Sequence, residues 1–411
     1  SETSAVGRVN SWTAKALLGK VYYKMAALDI NAADNWQNAK EMFDAVYASK
    51  VYSLEPKFAD LFGEYATSKE AIVMMNYSTG NASGVYNRAS NRFAPQASTS
   101  GINWSTYRVA KFAYDMHEGT YPGDPRIEVN FLTRWRDRNG NNQANPKPQV
   151  GSIPTPNDSV YTYPYWRYTY DEIVPGTTDV KLYNVGKLPY AEFADPKNPS
   201  LSFIENYETT HGNSPYGETL VKATEEFVKV GNGNKWPYFG KLYDQKQTGT
   251  MAHKNLMVYR YAEMLLLMAD VYNELGDISL ANEVLARARK SGAVASAQPA
   301  DWSSSLTKDE VTEKLYFERV IELCGEPAIY DMIRIRGTKY FKKLLELNAN
   351  HELTIKGDSN YPGSNNNFAD RLINDGNLTD DFLRKNLLLP IPTSEIDANP
   401  GLSNSDNNFG Y

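Results

Sequence analysis

One helical hairpin constrains the fold of this chain more than any other part of its sequence. Residues 261–289 have the apolar spacing of two helices joined by a short turn. Small side chains recur where the two helix backbones would meet, at Ala269, Ala281 and Ala288. Gly276 stands where the first helix must stop, because glycine readily adopts the left-handed conformation that ends many helices. The segment is therefore predicted to be a stacking unit of a helical-repeat protein.

Such a unit cannot bury its apolar face alone, so further helix pairs must stand against it. One candidate lies near the start of the chain, where Gly19 takes the small-residue position of the central hairpin. Another follows the hairpin, where Thr307 and Glu310 have the spacing of a capping box. We expect three tetratricopeptide-like helix pairs to share one core, at 12–49, 257–290 and 308–347.

These pairs are discontinuous in the sequence, which predicts how the chain is organised. We expect a mainly α fold in which the tetratricopeptide-like pairs form a scaffold that carries a large irregular insertion of loops and short strands. Pro390, Pro392 and Pro400 predict an extended, non-helical tail that packs over the scaffold. The predicted units are a helix pair at 1–60, an irregular aromatic-rich region at 61–255, helix pairs at 256–350 and the C-terminal strap at 351–411.

The composition indicates a globular protein of an extracellular or periplasmic compartment. The 411 residues are rich in Tyr, Asn and Gly and carry a net charge of −6. Without a stripe of Lys and Arg, this balance argues against nucleic acid as a partner. Neither a membrane-spanning run nor a signal peptide is visible in the sequence. The lone Cys324 lies in an apolar helical stretch and is expected to be a small buried side chain.

Several short motifs occur in order along nearly the whole chain. They include Phe-Ala-Asp-Leu-Phe at 58–62 and Asn-Phe-Gly-Tyr at 408–411. As an ordered set they resemble the SusD/RagB-like family of outer-membrane nutrient-binding lipoproteins. The complete set comprises 58–62, 69–72, 115–119, 124–126, 261–263, 269–270, 318–326, 329–337, 388–400 and 408–411.

The resemblance implies a surface-exposed lipoprotein of the outer membrane that captures glycan and delivers it to a SusC-like TonB-dependent transporter. It implies no enzymatic activity and no cofactor. Family members begin with a lipidated cysteine, a first repeat and part of the ligand face. Residues 1–9 of this chain resemble the lead-in to the second repeat. We therefore expect the N-terminal family portion, with its lipid anchor to the membrane, to be missing from this chain.

Aromatic side chains crowd the irregular region between Gly63 and His253. Sugars expose apolar C–H faces ringed by hydroxyl groups, so a glycan site needs flat aromatic platforms beside polar side chains. Loops on a rigid scaffold are common places for such sites. The alternating tyrosines between 161 and 170 are interpreted instead as one packed face of a strand. The candidate ligand-binding residues are Trp104, Trp135, Tyr107, Tyr86 and Trp236.

Catalytic and metal-binding patterns are not indicated. The four histidines lack metal-ligand spacing, and no hydrolase or phosphate-loop motif occurs. Residues 137–141 resemble a calcium loop, but the glycine is misplaced and no Glu follows at the twelfth position, so a polar turn is the better interpretation. Glu318, Arg319 and Glu322 have helical spacing and are interpreted as an ion network of helix packing.

Three classes of function remain open from the sequence. The first is a surface glycan-binding protein, the second a tetratricopeptide-type adaptor that binds peptides or proteins, and the third a glycosidase, whose paired carboxylates can be far apart in a chain. An adaptor would place its ligand on the helical face, whereas a glycan binder would use the loops between 63 and 253. The aromatic-rich insertion favours the first class.

Overpacking the helical seam tests the repeat prediction. Ala269→Leu and Ala281→Leu should each lower the free energy of unfolding by about 1–3 kcal/mol, because closely approaching helices leave no room for a larger side chain. Thermal unfolding measures the effect. A melting temperature unchanged by both substitutions would contradict the close packing.

Overall fold

The computed structural model describes residues 8–64, 66–77, 87–95, 100–104, 106–107, 109, 111–136, 159–161, 168–173, 179–184, 219–222, 237–244, 246–276, 280–290, 299–327, 336–350 and 376–411. For the strands between 134 and 222, the description covers the backbone alone. Helices of all three predicted pairs lie within these residues.

Helices form the scaffold, as the sequence predicts. Several long ones fall in the expected pairs, and shorter ones lie in the insertion and the tail. In chain order they are α1 (Ser11–Ala27), α2 (Ala32–Ser49), α3 (Ala89–Phe93), α4 (Lys111–Thr120), α5 (Arg126–Asn130), α6 (Tyr261–Leu275), α7 (Ala281–Lys290), α8 (Lys308–Glu322), α9 (Thr338–Asn350), α10 (Asp380–Leu387) and α11 (Thr393–Ala398).

Short strands occupy the insertion. They are β1 (Ala71–Met75), β2 (Ser100–Gly101), β3 (Phe131–Leu132), β4 (Arg134–Arg136), β5 (Ser159–Tyr161), β6 (Tyr168–Ile173), β7 (Asp179–Asn184), β8 (Thr219–Lys222), β9 (Tyr238–Phe239), β10 (Thr248–Gly249) and β11 (Leu256–Arg260). Strands β6, β7 and β8 form one antiparallel sheet, and β2 and β10 pair in parallel. The pairs β1–β11, β3–β9 and β4–β5 are antiparallel.

Local signals at the helix ends act as the sequence predicts. Thr307 and Glu310 form the expected capping box, in which the Thr307 hydroxyl accepts from the Glu310 N–H at 3.3 Å. Gly276 ends α6 with φ of 104°, the left-handed conformation that a glycine adopts without strain. Asn10 caps α1 by accepting from the Thr13 N–H at 2.8 Å. These caps satisfy backbone groups that have no partner inside the helix.

One apolar core joins the first two predicted pairs and helix α8 of the third. Helices α1, α2, α6, α7 and α8 all bury side chains in it. Helix α9 packs at its edge, where the ring of Tyr340 stacks on Tyr316 of α8 with centroids 4.8 Å apart. The shared core is thus found for the first two pairs and for α8. Fully buried representatives are Ala16, Phe43, Leu266, Val284 and Leu315.

The central pair begins later than predicted. Residues 257–260 belong to strand β11, and the helix starts at Tyr261. Met257 and Tyr259 are buried while Leu256 and Val258 are half-buried, which is the period of two that a strand requires. Because all four side chains are apolar, this alternation is hidden in the sequence.

Gly19 brings α1 and α2 together. A Cβ atom built on Gly19 would lie 2.6 Å and 2.7 Å from two ring carbons of Phe43, a core residue of α2. The aromatic ring therefore occupies the space that any other residue at position 19 would need. The small residue predicted at position 19 therefore allows α1 and α2 to approach each other closely.

Buried charges connect the scaffold to the insertion. Glu322 of α8 accepts from Arg126 Nη1 at 2.8 Å and from Arg260 Nη1 at 2.9 Å, and it also pairs with Arg287. Each of these four side chains is at most 2% exposed. Burial would raise the pKa of Glu322, but Arg287, Arg260 and Arg126 outweigh it and hold that pKa well below its usual range. Glu322 is the point at which α5, β11, α7 and α8 meet.

Further carboxylates complete this buried network. Arg260 also binds Glu70 at 2.6 Å and Glu326 at 2.7 Å, and Arg126 binds Asp124 at 2.8 Å and pairs with Glu318. The interpretation of the α8 charges as a packing network is confirmed. Their partners lie on other elements of the fold, however, and not one helical turn away.

Arg319 of α8 belongs to a second network of the same kind. Its Nη2 donates to Asp270 of α6 at 2.7 Å, and the hydroxyl of Tyr23 from α1 donates to the same carboxylate. Helices α1, α6 and α8 therefore meet at one buried carboxylate. Cys324, next to the end of α8, is buried as predicted.

The C-terminal tail corrects a prediction. Instead of an extended, non-helical strap, it contains α10, α11 and a 3-10 turn at Asn404–Asp406. The Thr379 hydroxyl caps α10 by accepting from the Phe382 N–H at 3.1 Å. Pro392 lies at the N-terminus of α11, where its missing N–H removes no helical hydrogen bond. The prolines bracket a short helix in the tail and do not exclude one.

Gly19→Ala should destabilise the protein by about 1–3 kcal/mol, because the new methyl group would collide with the Phe43 ring. Gly119→Ala is a matched control, since a Cβ at that exposed position of α4 meets nothing within 4 Å. The control should be neutral or slightly stabilising, because alanine favours a helix more than glycine does. Chemical unfolding of both variants measures the difference. Equal stability of the two variants would contradict the close approach of α1 and α2.

Stability should fall on acidification in two stages. Burial lowers the pKa of His117 against the opposing hydrogen bond to Asp124. The unfolded chain therefore takes up a proton near pH ~6.5 that the folded protein excludes, so stability drops as the pH falls through this value. The lowered pKa values of Glu322 and Asp124 stabilise the fold above about pH 4, and this contribution is lost below it. Melting curves recorded across this pH range test both stages.

A histidine variant separates the two stages. His117→Asn should flatten the first stage and leave the second in place. Burial raises the pKa of Glu318, so its protonation favours the folded state and reduces the steepness of the second stage. Wild-type stability that is constant between about pH 7 and about pH 5 would refute the role of His117.

Candidate functional site

An exposed loop of the insertion carries two of the predicted aromatic residues. Strand β2 pairs with β10, and the chain then leaves the pair at Ile102, whose N–H donates to the Gly249 carbonyl at 2.6 Å. Trp104 and Tyr107 follow on this loop and are 47% and 54% exposed. Ile102 is 54% exposed as well. We call Ile102, Trp104, Tyr107 and the neighbouring Arg92 the aromatic platform.

The short helix α3 positions the platform backbone. The Trp104 N–H donates to the Asn91 carbonyl at 2.7 Å. The N–H groups of Thr106 and Tyr107 donate to the Arg92 carbonyl at 2.8 Å and 3.1 Å. The last carbonyl groups of a helix lack partners within the helix, so this loop satisfies them. The aromatic side chains are thereby presented from a fixed backbone.

Two buried amide side chains hold the start of the loop. Asn91 and Gln247, 1% and 0% exposed, both donate to the Ile102 carbonyl, and the distance from Gln247 Nε2 is 3.2 Å. Gln247 also donates to the Gly249 carbonyl at 3.3 Å. Buried amides that bond to backbone groups fix a loop, since breaking such a bond leaves a polar atom without a partner.

Ring contacts fix the aromatic side chains themselves. The guanidinium carbon of Arg92 lies over the Trp104 ring, 4.4 Å from its centroid. The Tyr107 ring packs on Phe93 at 5.3 Å, and Phe93 meets Phe239 edge to face at 5.2 Å. Neighbouring residues of α3 thus support the two aromatic rings of the platform.

The segment 237–242 links this platform to the buried charge network. Phe239 of β9 supports Phe93, and two residues later Lys241 donates to Glu326 and to the Glu322 carbonyl, each at 2.7 Å. Gly325 leaves room for Phe239, because a Cβ there would lie 2.7 Å from its ring. Contacts therefore run without a break from α8 through Phe239 to Tyr107.

The five predicted ligand residues differ in where they lie and in how far the structure describes them. It brings Trp104 and Tyr107 together on one loop with their rings exposed. Trp135 lies in β4 opposite Val160 of β5, and its side chain is outside the described part of the chain. Tyr86 and Trp236 lie outside the described residues altogether, and so does the loop 137–141. Trp135, Tyr86 and Trp236 therefore stay predictions.

Sequence reasoning missed the residues that support the platform. Arg92 and Phe93 precede Trp104 by 12 and 11 positions in the sequence, and their residue types alone do not separate them from other surface residues. Gln247 is 145 positions from Ile102, so no local sequence pattern could predict their contact. The absence of acidic residues around Arg92 was the one signal available in the sequence.

Some titratable side chains form buried pairs in the core. His117 and Asp124 form a hydrogen bond at 3.0 Å, but they are only 1% and 0% exposed. Within the described ranges, no group of three or more His, Cys, Asp or Glu side chains is arranged to hold a metal ion. Nor does any helix described here have the length and apolar character to cross a bilayer. The platform loop thus offers two exposed aromatic rings, Trp104 and Tyr107, each supported by a residue of α3.

The chain belongs to the SusD family, whose model matches residues 69–411. SusD-like protein P38 of Formosa agariphila is 30% identical over 144 residues, which is 34% of this chain and 28% of that protein. The resemblance predicted from the ordered motifs is therefore confirmed.

Solved structures share the fold. A SusD homolog from Bacteroides thetaiotaomicron has a TM-score of 0.58 at 15% identity and covers 98% of this chain and 64% of its own. Surface glycan-binding protein A from Bacteroides thetaiotaomicron has a TM-score of 0.51 at 15% identity, with 100% of this chain and 66% of that chain covered. This chain thus spans about two thirds of the length of these structures and less than a third of P38. The mainly helical fold class is confirmed.

Proposed function

We propose that this protein binds glycans at the cell surface through the aromatic platform. The observation that carries the proposal is the pair Trp104 and Tyr107, about half exposed and anchored by backbone hydrogen bonds to α3. An exposed indole has a cost in water, and fixing its backbone and ring in place costs further conformational entropy. Such an arrangement suits a ligand that stacks on aromatic faces, as the C–H face of a sugar does.

Family membership supports this proposal. A structure with the same fold is a surface glycan-binding protein by name. The platform also lies on a loop of the insertion and not on the helical scaffold. Binding residues are found most often on such loops. Binding should be modest, on the order of micromolar to millimolar, because a few stacking contacts must offset the ordering of a flexible oligosaccharide.

The partner and the location are part of the same proposal and rest on the family. We infer that the protein works on the outer membrane surface and passes glycan to a SusC-like TonB-dependent transporter. In this role the protein binds glycan without hydrolysing it. Purified protein should therefore release no reducing ends from a glycan that it binds, and a reducing-sugar assay after prolonged incubation measures this directly.

A peptide-binding adaptor is the second candidate, and one observation favours it. Helix α1 presents apolar side chains to solvent, since Leu17, Leu18 and Val21 are 41–50% exposed. Leu28, the residue that ends the helix, is 40% exposed as well. An apolar helix face of this kind is a common contact surface for another helix. Under this alternative, changes on α1 would abolish ligand binding and changes on the platform would not.

Truncating the platform tests the proposed function. Trp104→Ala and Tyr107→Ala should each weaken glycan binding about 5- to 10-fold, since each removes a stacking contact of about 1 kcal/mol. Isothermal titration with a glycan selected from an array measures the affinities, and thermal unfolding should show little change. Tyr411→Ala is the control, because this tyrosine is similarly exposed at 46% but lies on the C-terminal segment.

Two results would remove parts of this proposal. Unchanged glycan affinity in the Trp104 and Tyr107 variants would remove the platform as the site. Failure of the wild-type protein to capture a TonB-dependent transporter from solubilised outer membranes would remove the proposed partner. We expect the transporter to dock on the helical scaffold. The Trp104 variant should therefore still capture it, because this change lies on the insertion.

A further inference from the structure

The aromatic platform carries a positive charge. Arg92 is exposed, and its guanidinium lies over the Trp104 ring at 4.4 Å from the ring centroid. Among the residues that the structure describes, no carboxylate forms an ion pair with Arg92. The arginines of the network around Glu322 are buried and paired with carboxylates, whereas this cation faces solvent beside the exposed indole.

A stacked guanidinium remains able to bind an anion. The attraction to an aromatic ring uses the flat face of the group. Its N–H bonds point outward in its own plane, where they match the two oxygens of a carboxylate or the oxygens of a sulfate. Arg92 can therefore stay on Trp104 while its edge binds an anionic group of a ligand on the platform.

The sequence around the platform is free of acidic residues. From Ala71 to Tyr114 it contains no Asp or Glu, but it contains Arg88, Arg92, Arg108 and Lys111. The strand partner of the loop lies in a second acid-free segment, 245–262. The whole chain has a net charge of −6, so this local balance is opposite to the overall one. A negatively charged ligand would meet less repulsion here than the net charge suggests.

We propose that the platform binds anionic glycans, whose sugar units carry carboxylate or sulfate groups. This inference rests on the proposed function and adds the substrate class to it. The sugar ring stacks on Trp104 and Tyr107, and the anionic group pairs with Arg92 at the edge of the platform. Arg92 then has two roles, because it both supports the indole and recognises the charge.

Matched pairs of oligosaccharides test the substrate class. One pair is an oligogalacturonate and the neutral oligosaccharide made by reducing its carboxylates. The other is a sulfated galactan oligosaccharide and its desulfated form. Wild-type protein should bind the charged member of at least one pair about 10-fold more tightly than the neutral member, since charge-assisted hydrogen bonds are the stronger kind. The pair that shows the difference identifies the anionic group, and higher ionic strength should reduce it.

Variants of Arg92 separate recognition from support. Arg92→Gln should lose the preference for the charged oligosaccharide, and Arg92→Lys should keep part of it, because lysine retains the charge without the planar fork. Arg384→Gln is the matched control, since Arg384 is also exposed and lies over an aromatic ring, 4.0 Å from the centroid of Phe409. It removes the same charge and should leave binding unchanged.

The possible outcomes distinguish this inference from the proposed function. Equal affinity for charged and neutral members, with binding lost in Trp104→Ala, would overturn the anionic class and keep the glycan-binding function. An equal loss of both members in Arg92→Gln would also overturn it, because Arg92 would then only support Trp104. Absence of binding to every glycan of an array would overturn the inference and the proposed function together.

Discussion

The carboxylate of Glu322 is the interaction on which the rest of the structure depends. It pairs with Arg126, Arg260 and Arg287, which come from α5, β11 and α7. A carboxylate without these partners would not stay charged in the core, and each arginine without Glu322 would lose one of its buried carboxylate partners. Each element therefore requires the others to be in place. A buried ion network of this kind adds little net stability over an apolar core, but we infer that it selects one arrangement of the elements.

The same network is connected to the platform by a short series of side-chain contacts. Lys241 joins the network at Glu326, and Phe239, two residues earlier, packs on Phe93 below Tyr107. An exposed binding surface needs such support, since its rings have no ligand to hold them when the site is empty. The helical scaffold thus supports the platform loop through packed side chains, in addition to the covalent chain that joins them. Arg92 and the backbone hydrogen bond to α3 hold Trp104 in place in the same way.

Agreement between sequence and structure is uneven for a physical reason. Caps and hairpins are local, so Thr307, Gly276 and the small residues of the seam could be interpreted correctly from their spacing. The strand at 256–260 was mistaken for helix because both of its faces are apolar, and the tail was mistaken for extended chain because Pro392 can begin a helix as well as prevent one. The site was predicted in part: Trp104 and Tyr107 were named, while Arg92, Phe93 and Gln247 were not.

The sequence by itself determined the repeat class, the mainly helical scaffold, the family and the aromatic character of the insertion, because these depend on spacing and on ordered short motifs. Only the tertiary structure decided which elements share the charges of α8 and which residues hold the platform. Glu322 and Arg126 are separated by 196 positions, and Gln247 and Ile102 by 145. Contacts at such separations are set by how the elements pack, since no local rule of charge or hydrogen bonding specifies the partner.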